Sequence, residues 1–107
     1  MSEEIRVVRP QGRLDSSTSP GLEKALLEHI DGGDRRLLLD LSDLGYISSM
    51  GLRVVLLAAK RMRAAGGKLA LCSLNANITE VFEISGFSSI LDIFPNHDAA
   101  TAALAAP

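Results

Sequence analysis

Tryptophan is absent from this 107-residue chain, tyrosine occurs once, and aromatic residues make up only 4% of it. A core must therefore be built from Leu, Ile, Val and Ala. The 47% of apolar residues supplies enough for one compact domain over residues 1–107 and no more. The single cysteine, Cys72, excludes an internal disulfide and a cysteine-rich zinc site. Within the run KLALC it reads as a small buried hydrophobe. The two histidines, His29 and His97, lie far apart with no ligand-like cluster beside either, so no metal is expected. Eleven Lys and Arg are scattered among thirteen Asp and Glu for a net charge of −2, which argues against the concentrated basic patch that nucleic acid requires. Nothing approaches the ~20 apolar residues of a membrane span. The acidic start MSEEIRVV lacks the apolar stretch of a secretory signal. The expectation is a soluble, cytoplasmic protein with no membrane insertion.

What is present alternates between strand and helix patterns. Residues 5–9 (IRVVR) suit a short strand, interrupted by Pro10 before GRLD at 12–15. Ser19 is placed to cap a helix whose first position is Pro20, with Leu22, Ala25, Leu26, His29 and Ile30 at helical spacing and Gly32-Gly33 as the stop. RLLLDL at 36–41 is a nearly continuous apolar run, as a central strand covered on both faces requires. SDLGYISS reads as a loop into a long helix from about Met50 to Ala65, and KLALC at 68–72 is the next buried strand. Asn75 is positioned to cap a third helix ending at Gly86; residues 90–94 suit a last strand, and residues 98–106 an Ala-rich helix. The class is α/β, with a mixed, mainly parallel sheet of four to five strands and about four helices.

One junction stands out. The loop SDLGYISS follows the carboxyl end of a central strand, where open α/β sheets place their ligand or partner sites. Ser49 falls at the start of the following helix, where a hydroxyl ordinarily does no more than cap free N–H groups. On a 100° projection Leu52, Val55, Leu56, Ala59 and Met62 form the core face, while Met50 and Leu57 fall outward among Arg53, Lys60 and Arg61. Apolar side chains ringed by basic ones suggest a partner surface, although isolated exposed Leu and Met are common. Phosphate on Ser49 would add a charge of about −1.5 to −2, which a helix N-terminus tolerates. No enzyme reading competes: there is no GxxxxGK[ST] loop, no GxGxxG after the first strand, and no GxSxG elbow. No cofactor is expected.

The run DLSDLGYISSMGLR (40–53), GRLD near the start and the GGKLALC turn-strand resemble the STAS domain of bacterial anti-sigma factor antagonists. The similarity runs from about Ile5 to Leu104, and the combination of motifs is specific where GRLD or GGK alone is weak. The resemblance implies a STAS-like fold and a partner-switching role. In that family the unphosphorylated antagonist binds an anti-sigma factor serine kinase of the histidine-kinase-like ATPase type and frees the sigma factor. Phosphorylation by that kinase weakens the complex, and a metal-dependent serine phosphatase restores the active form. Carried over by position, the acceptor is Ser49, followed by Met50, Gly51 and Leu52. Asp15 of GRLD matches an acidic residue close to the phosphorylation site.

Ser48 stands where the family commonly has Asp, which makes Ser48 a second candidate acceptor. Met50 replaces a frequent small or hydroxyl residue, and Arg53 a frequent Gly. The expected partner-binding set is Asp15, Ser48, Ser49, Met50, Gly51, Arg53 and Leu57. Only about nine residues precede Pro10, enough for one strand where relatives often carry two, so an exposed sheet edge and a weak homodimer are expected. The alternative is a non-switching STAS subunit of a lipid or anion transport or sensory complex.

Overall fold

The computed structural model of the chain describes residues 4–106. The elements run β1 (Arg6–Val8), β2 (Gly12–Leu14), α1 (Ser19–Asp31), β3 (Arg36–Asp40), β4 (Leu44–Ile47), α2 (Ser49–Ala64), β5 (Lys68–Cys72), α3 (Ala76–Ser85), a 3₁₀ turn (Phe87–Ser89), β6 (Asp92–Phe94) and α4 (His97–Ala105). Four strands form a sheet in the order β1-β3-β5-β6, and β2 pairs separately with β4. Every pairing among the described residues is parallel.

The two-residue period of the central strands sorts their side chains between two layers. Leu37 and Leu39 of β3, with Leu69 and Leu71 of β5, enter the large core shared with α1, α2 and α3. Leu38, Ala70 and Cys72 face the other way, against Ala100 and Leu104 of α4. Small residues on both sides of that second layer let an Ala-rich helix lie close to the sheet. Phe82, Met62 and Val55, all 0% exposed, fill the large core in place of the missing Trp. Among the described residues, no helix is long and apolar enough to cross a membrane.

Three local expectations change. Residues 44–47 form a strand where a loop was expected: Leu44 and Ile47 are buried while Gly45 and Tyr46 between them are exposed, so no alternation marks the strand. At α1 the capping position is Thr18, and Ser19 is the first helical residue, its buried hydroxyl without a partner. Helix α2 is capped by Ser48, whose Oγ accepts from the Gly51 N–H at 3.4 Å; Ser49 is the first residue inside.

Candidate functional site

The β2–β4 pair positions the site. Because the two strands are parallel and Leu14 lies opposite Ile47, their carboxyl ends emerge side by side and deliver Asp15 next to Ser48. The Ser48 N–H donates to the Leu14 carbonyl at 2.8 Å and locks that juxtaposition. Helix α2 then rises directly over the strand ends. A Cβ at Gly51 would sit 2.8 Å from Ile47 Cγ1 and 3.0 Å from Leu14 Cδ2, so any larger residue would force these buried side chains to shift.

The result is an open depression of about 450 Å³ lined by Asp15, Tyr46, Ser48, Ser49, Met50 and Arg53, together with Ser16. Ser49 is exposed, whereas Ser48 is half-buried with its oxygen committed to the cap. Met50 and Tyr46 are each 44% exposed. Arg53 stands one turn beyond Ser49 and, among the described residues, is in no ion pair. Five of the seven expected partner residues thus surround one depression, and Gly51 lies buried beneath it.

Leu57 does not join them. It is half-buried and, among the described residues, lines none of the three depressions of about 450, 300 and 150 Å³ along α2. The expected outer flank also contains Val54, 3% exposed, because α1 packs on this helix as well as the sheet. Leu56, assigned to the core face, packs against the large core and also lines a surface depression.

Asp15 is held by its own turn. Its Oδ1 accepts from the Ser17 hydroxyl at 2.8 Å, the Ser17 N–H at 3.0 Å and the Thr18 N–H at 3.2 Å, and none of its hydrogen bonds reaches Ser49. The hydrogen bonds from the Ser17 hydroxyl and N–H hold its carboxyl down at about 2. A permanent anion therefore forms one wall of the depression, and Arg13 and Tyr46 stand beside it. The two are opposite in register; the Arg13 guanidinium lies 4.3 Å from the Tyr46 ring centroid and its Nε 3.6 Å from Asp15 Oδ2. Sequence reading missed Tyr46 as a site residue, because its signal appears only once β2 and β4 are known to pair.

A second polar cluster lies at the carboxyl end of β3. Asp40, 2% exposed, accepts from Arg9 Nη2 at 2.9 Å, Arg9 Nε at 3.2 Å and the Ser42 N–H at 3.0 Å, and its Oδ2 lies 3.3 Å from His97 Nδ1. Cys72 completes a set of potential metal-ligating atoms, all within 4.8 Å of one another, which their separation in sequence concealed. Arg9 and the Ser42 N–H already engage both carboxylate oxygens, so the arrangement reads as an ionic clasp tying the chain after β1 to β3 and α4. Burial opposes ionisation of Asp40, but the hydrogen bonds from Ser42, Arg9 and His97 outweigh it and hold the carboxyl well below the usual range. Burial pushes the Cys72 thiol up.

This clasp has a consequence for acid stability. A carboxyl whose folded pKa lies below its unfolded value of about 3.9 stabilises the fold above that pH, and the contribution disappears as pH falls through the folded value. Asp40→Asn is expected to cost about 2 kcal/mol at pH 7, less than a fully buried pair because Arg9 stays half in water. The deficit should shrink as pH is lowered from 5 towards 2. Urea midpoints across that range check both points, and a deficit independent of pH would contradict the assignment.

Three comparisons with known proteins bear on the site. A family model described as the STAS domain matches residues 1–100. A Bordetella bronchiseptica protein, provisionally named anti-sigma factor antagonist BtrV, is 50% identical over 93 residues, covering 87% of this chain and 80% of its own. An anti-sigma F factor antagonist of Paenibacillus polymyxa is 30% identical over 93 residues, covering 86% and 80%. Among solved structures, an anti-sigma factor antagonist from Mycobacterium paratuberculosis shares the fold with a TM-score of 0.86 at 21% identity, over 94% of this chain and 85% of that one.

Proposed function

The chain belongs to the STAS domain family, and from that premise we propose that it is an anti-sigma factor antagonist switched by phosphorylation of Ser49. It acts as a binding regulator, one STAS domain over residues 1–107, working in the cytoplasm where sigma factors act. Unphosphorylated, it holds an anti-sigma factor that is also a serine kinase, and the sigma factor is released to drive transcription. The kinase transfers the γ-phosphoryl group of ATP: a bond forms from Ser49 Oγ to phosphorus, the bond to ADP breaks, and the hydroxyl proton passes to a base on the kinase. A serine phosphatase hydrolyses the ester and restores the binding form.

The observation that carries this reading is the division of roles between adjacent serines. Ser48 holds the helix cap with its oxygen, while the exposed Ser49 hydroxyl is not needed for it. Modifying Ser48 would cost a cap, about 1 kcal/mol. Modifying Ser49 places a dianion at the positive end of a 16-residue helix, one turn from Arg53.

The test is incubation with the cognate anti-sigma kinase and ATP, followed by mass mapping. One phosphate is expected on the wild type and on Ser48→Ala, and none on Ser49→Ala. Phosphate retained by Ser49→Ala would move the acceptor elsewhere.

A further inference from the structure

Three depressions follow one another along α2 and share side chains. Ser49 and Arg53 belong both to the one described above and to a second of about 300 Å³, lined also by Leu52, Leu56, Ser85 and Phe87. Leu56 is shared in turn with a third of about 150 Å³, completed by Ala59, Lys60, Arg63, Ile90 and Leu91. The groove therefore extends from Ser49 to Arg63, roughly 21 Å at 1.5 Å per residue. Helix α2 forms one wall; the end of α3, the 3₁₀ turn and the segment after it form the other.

Two properties identify what fits there. The floor is apolar, and Ile90 on the rim is 52% exposed. Apolar surface left to water in this way favours a partner's apolar face. The rim is cationic: Arg53, Lys60 and Arg63 are exposed, none is in an ion pair among the described residues, and no carboxylate lines the second or third depression. This face runs against the overall charge of −2. Elsewhere Arg6, Arg9 and Arg13 each meet an aspartate of the chain itself.

We infer that this groove receives an acidic amphipathic segment of the anti-sigma factor, apolar residues on the floor and carboxylates on Arg53, Lys60 and Arg63. The inference rests on the function proposed above and adds the contact that recognises the partner. A helix fits best, since a long channel beside α2 matches anchors spaced i, i+3/i+4, i+7. The groove begins at Ser49, so phosphate there meets the carboxylates at one end and draws Arg53, four residues on, to itself. Modification thus changes the charge of the groove as well as its mouth.

The experiment compares affinities of the anti-sigma factor for unphosphorylated wild type and three variants, each checked for an unchanged melting transition. The double variant Lys60→Glu/Arg63→Glu should bind about 100-fold more weakly and lose most of the salt dependence. Ile90→Ser should bind about tenfold more weakly. Lys24→Glu, a single reversal of the same kind at an exposed position of α1, should stay within about twofold. Lys60→Gln/Arg63→Gln serves if the double reversal disturbs the end of α2. If wild type fails to bind the anti-sigma factor, the proposed function itself falls. If wild type binds and the double variant binds equally well, or loses no more than Lys24→Glu, the groove assignment is overturned. A wild-type dimer in sedimentation that the double variant abolishes would assign the groove to a second copy and overturn it too.

Discussion

Carrying phosphate on Ser49, the protein is expected to bind its anti-sigma factor at least about thirtyfold more weakly than in the unmodified form. The size follows from where the charge is placed. Ser49 lines two adjoining depressions with an anionic wall at Asp15 on one side and the apolar floor at Leu52 and Leu56 on the other. A docked partner must strip water from a group of charge about −2 that Arg53 offsets only in part, and incompletely compensated interfacial charge costs about 2–5 kcal/mol. That is a loss of roughly 30-fold to several thousand-fold. Ser49→Asp, with one charge and a shorter reach, should lose about tenfold, while Ser49→Ala should bind like the unmodified protein whether or not ATP is present. Titration calorimetry with phosphorylated and unphosphorylated protein measures all of these. Affinities within about threefold would remove the switch while leaving the phosphorylation intact.

Gly67→Ala should be the most damaging single-methyl change in the chain. Gly67 sits in the turn from α2 into β5, and a Cβ there would lie 2.6 Å from the Arg35 carbonyl oxygen, 3.1 Å from Arg35 Cα and in collision with Met62 Sδ. Neither neighbour has room to yield. Met62 is 0% exposed, and the Arg35 carbonyl accepts from the Lys68 N–H at 2.8 Å where β5 begins to pair with β3. A loss of about 3 kcal/mol is expected, at the upper end for overpacking, with a fall in Tm of roughly 10 °C or more. Gly66→Ala provides the contrast within the same turn. No atom lies near its added Cβ, but its φ is +83°, so the cost should be only the left-handed strain of about 1–2 kcal/mol. Thermal unfolding of the two variants separates steric collision from backbone strain, and equal losses would contradict this account.

Much of this architecture is legible in the chain because its signals are local. RLLLDL and KLALC are continuous apolar runs, and both become central strands buried on two faces. Asn75 caps α3, accepting from the Ile78 N–H at 2.8 Å, and Gly86 ends it in the left-handed conformation, as their residue types indicate. What stays hidden depends on partners distant in sequence. Strand β4 has only two buried residues, and its reason to be extended is the pairing with β2. The clasp of Arg9, Asp40 and His97 joins residues with no common motif. At the site, the segment around Ser49 is legible, but the one-residue distinction between cap and exposed hydroxyl is not: Ser48 and Ser49 are the same residue type, and only the backbone chooses between them. That Leu56 packs on the core and also lines a surface depression was equally hidden, since helical periodicity defines a face and neighbouring elements decide how wide it is.

The pairing of a capping Ser48 with an exposed Ser49 also bears on how such a protein can change over generations. The residue that caps α2 and the residue proposed as the acceptor are adjacent but separate, so folding places little demand on position 49. A single codon change to alanine would yield a permanently unmodified form with an intact scaffold and no need for compensating substitutions. On the proposed function, gain and loss of regulation would therefore lie one residue apart, while the neighbouring serine remains tied to the architecture.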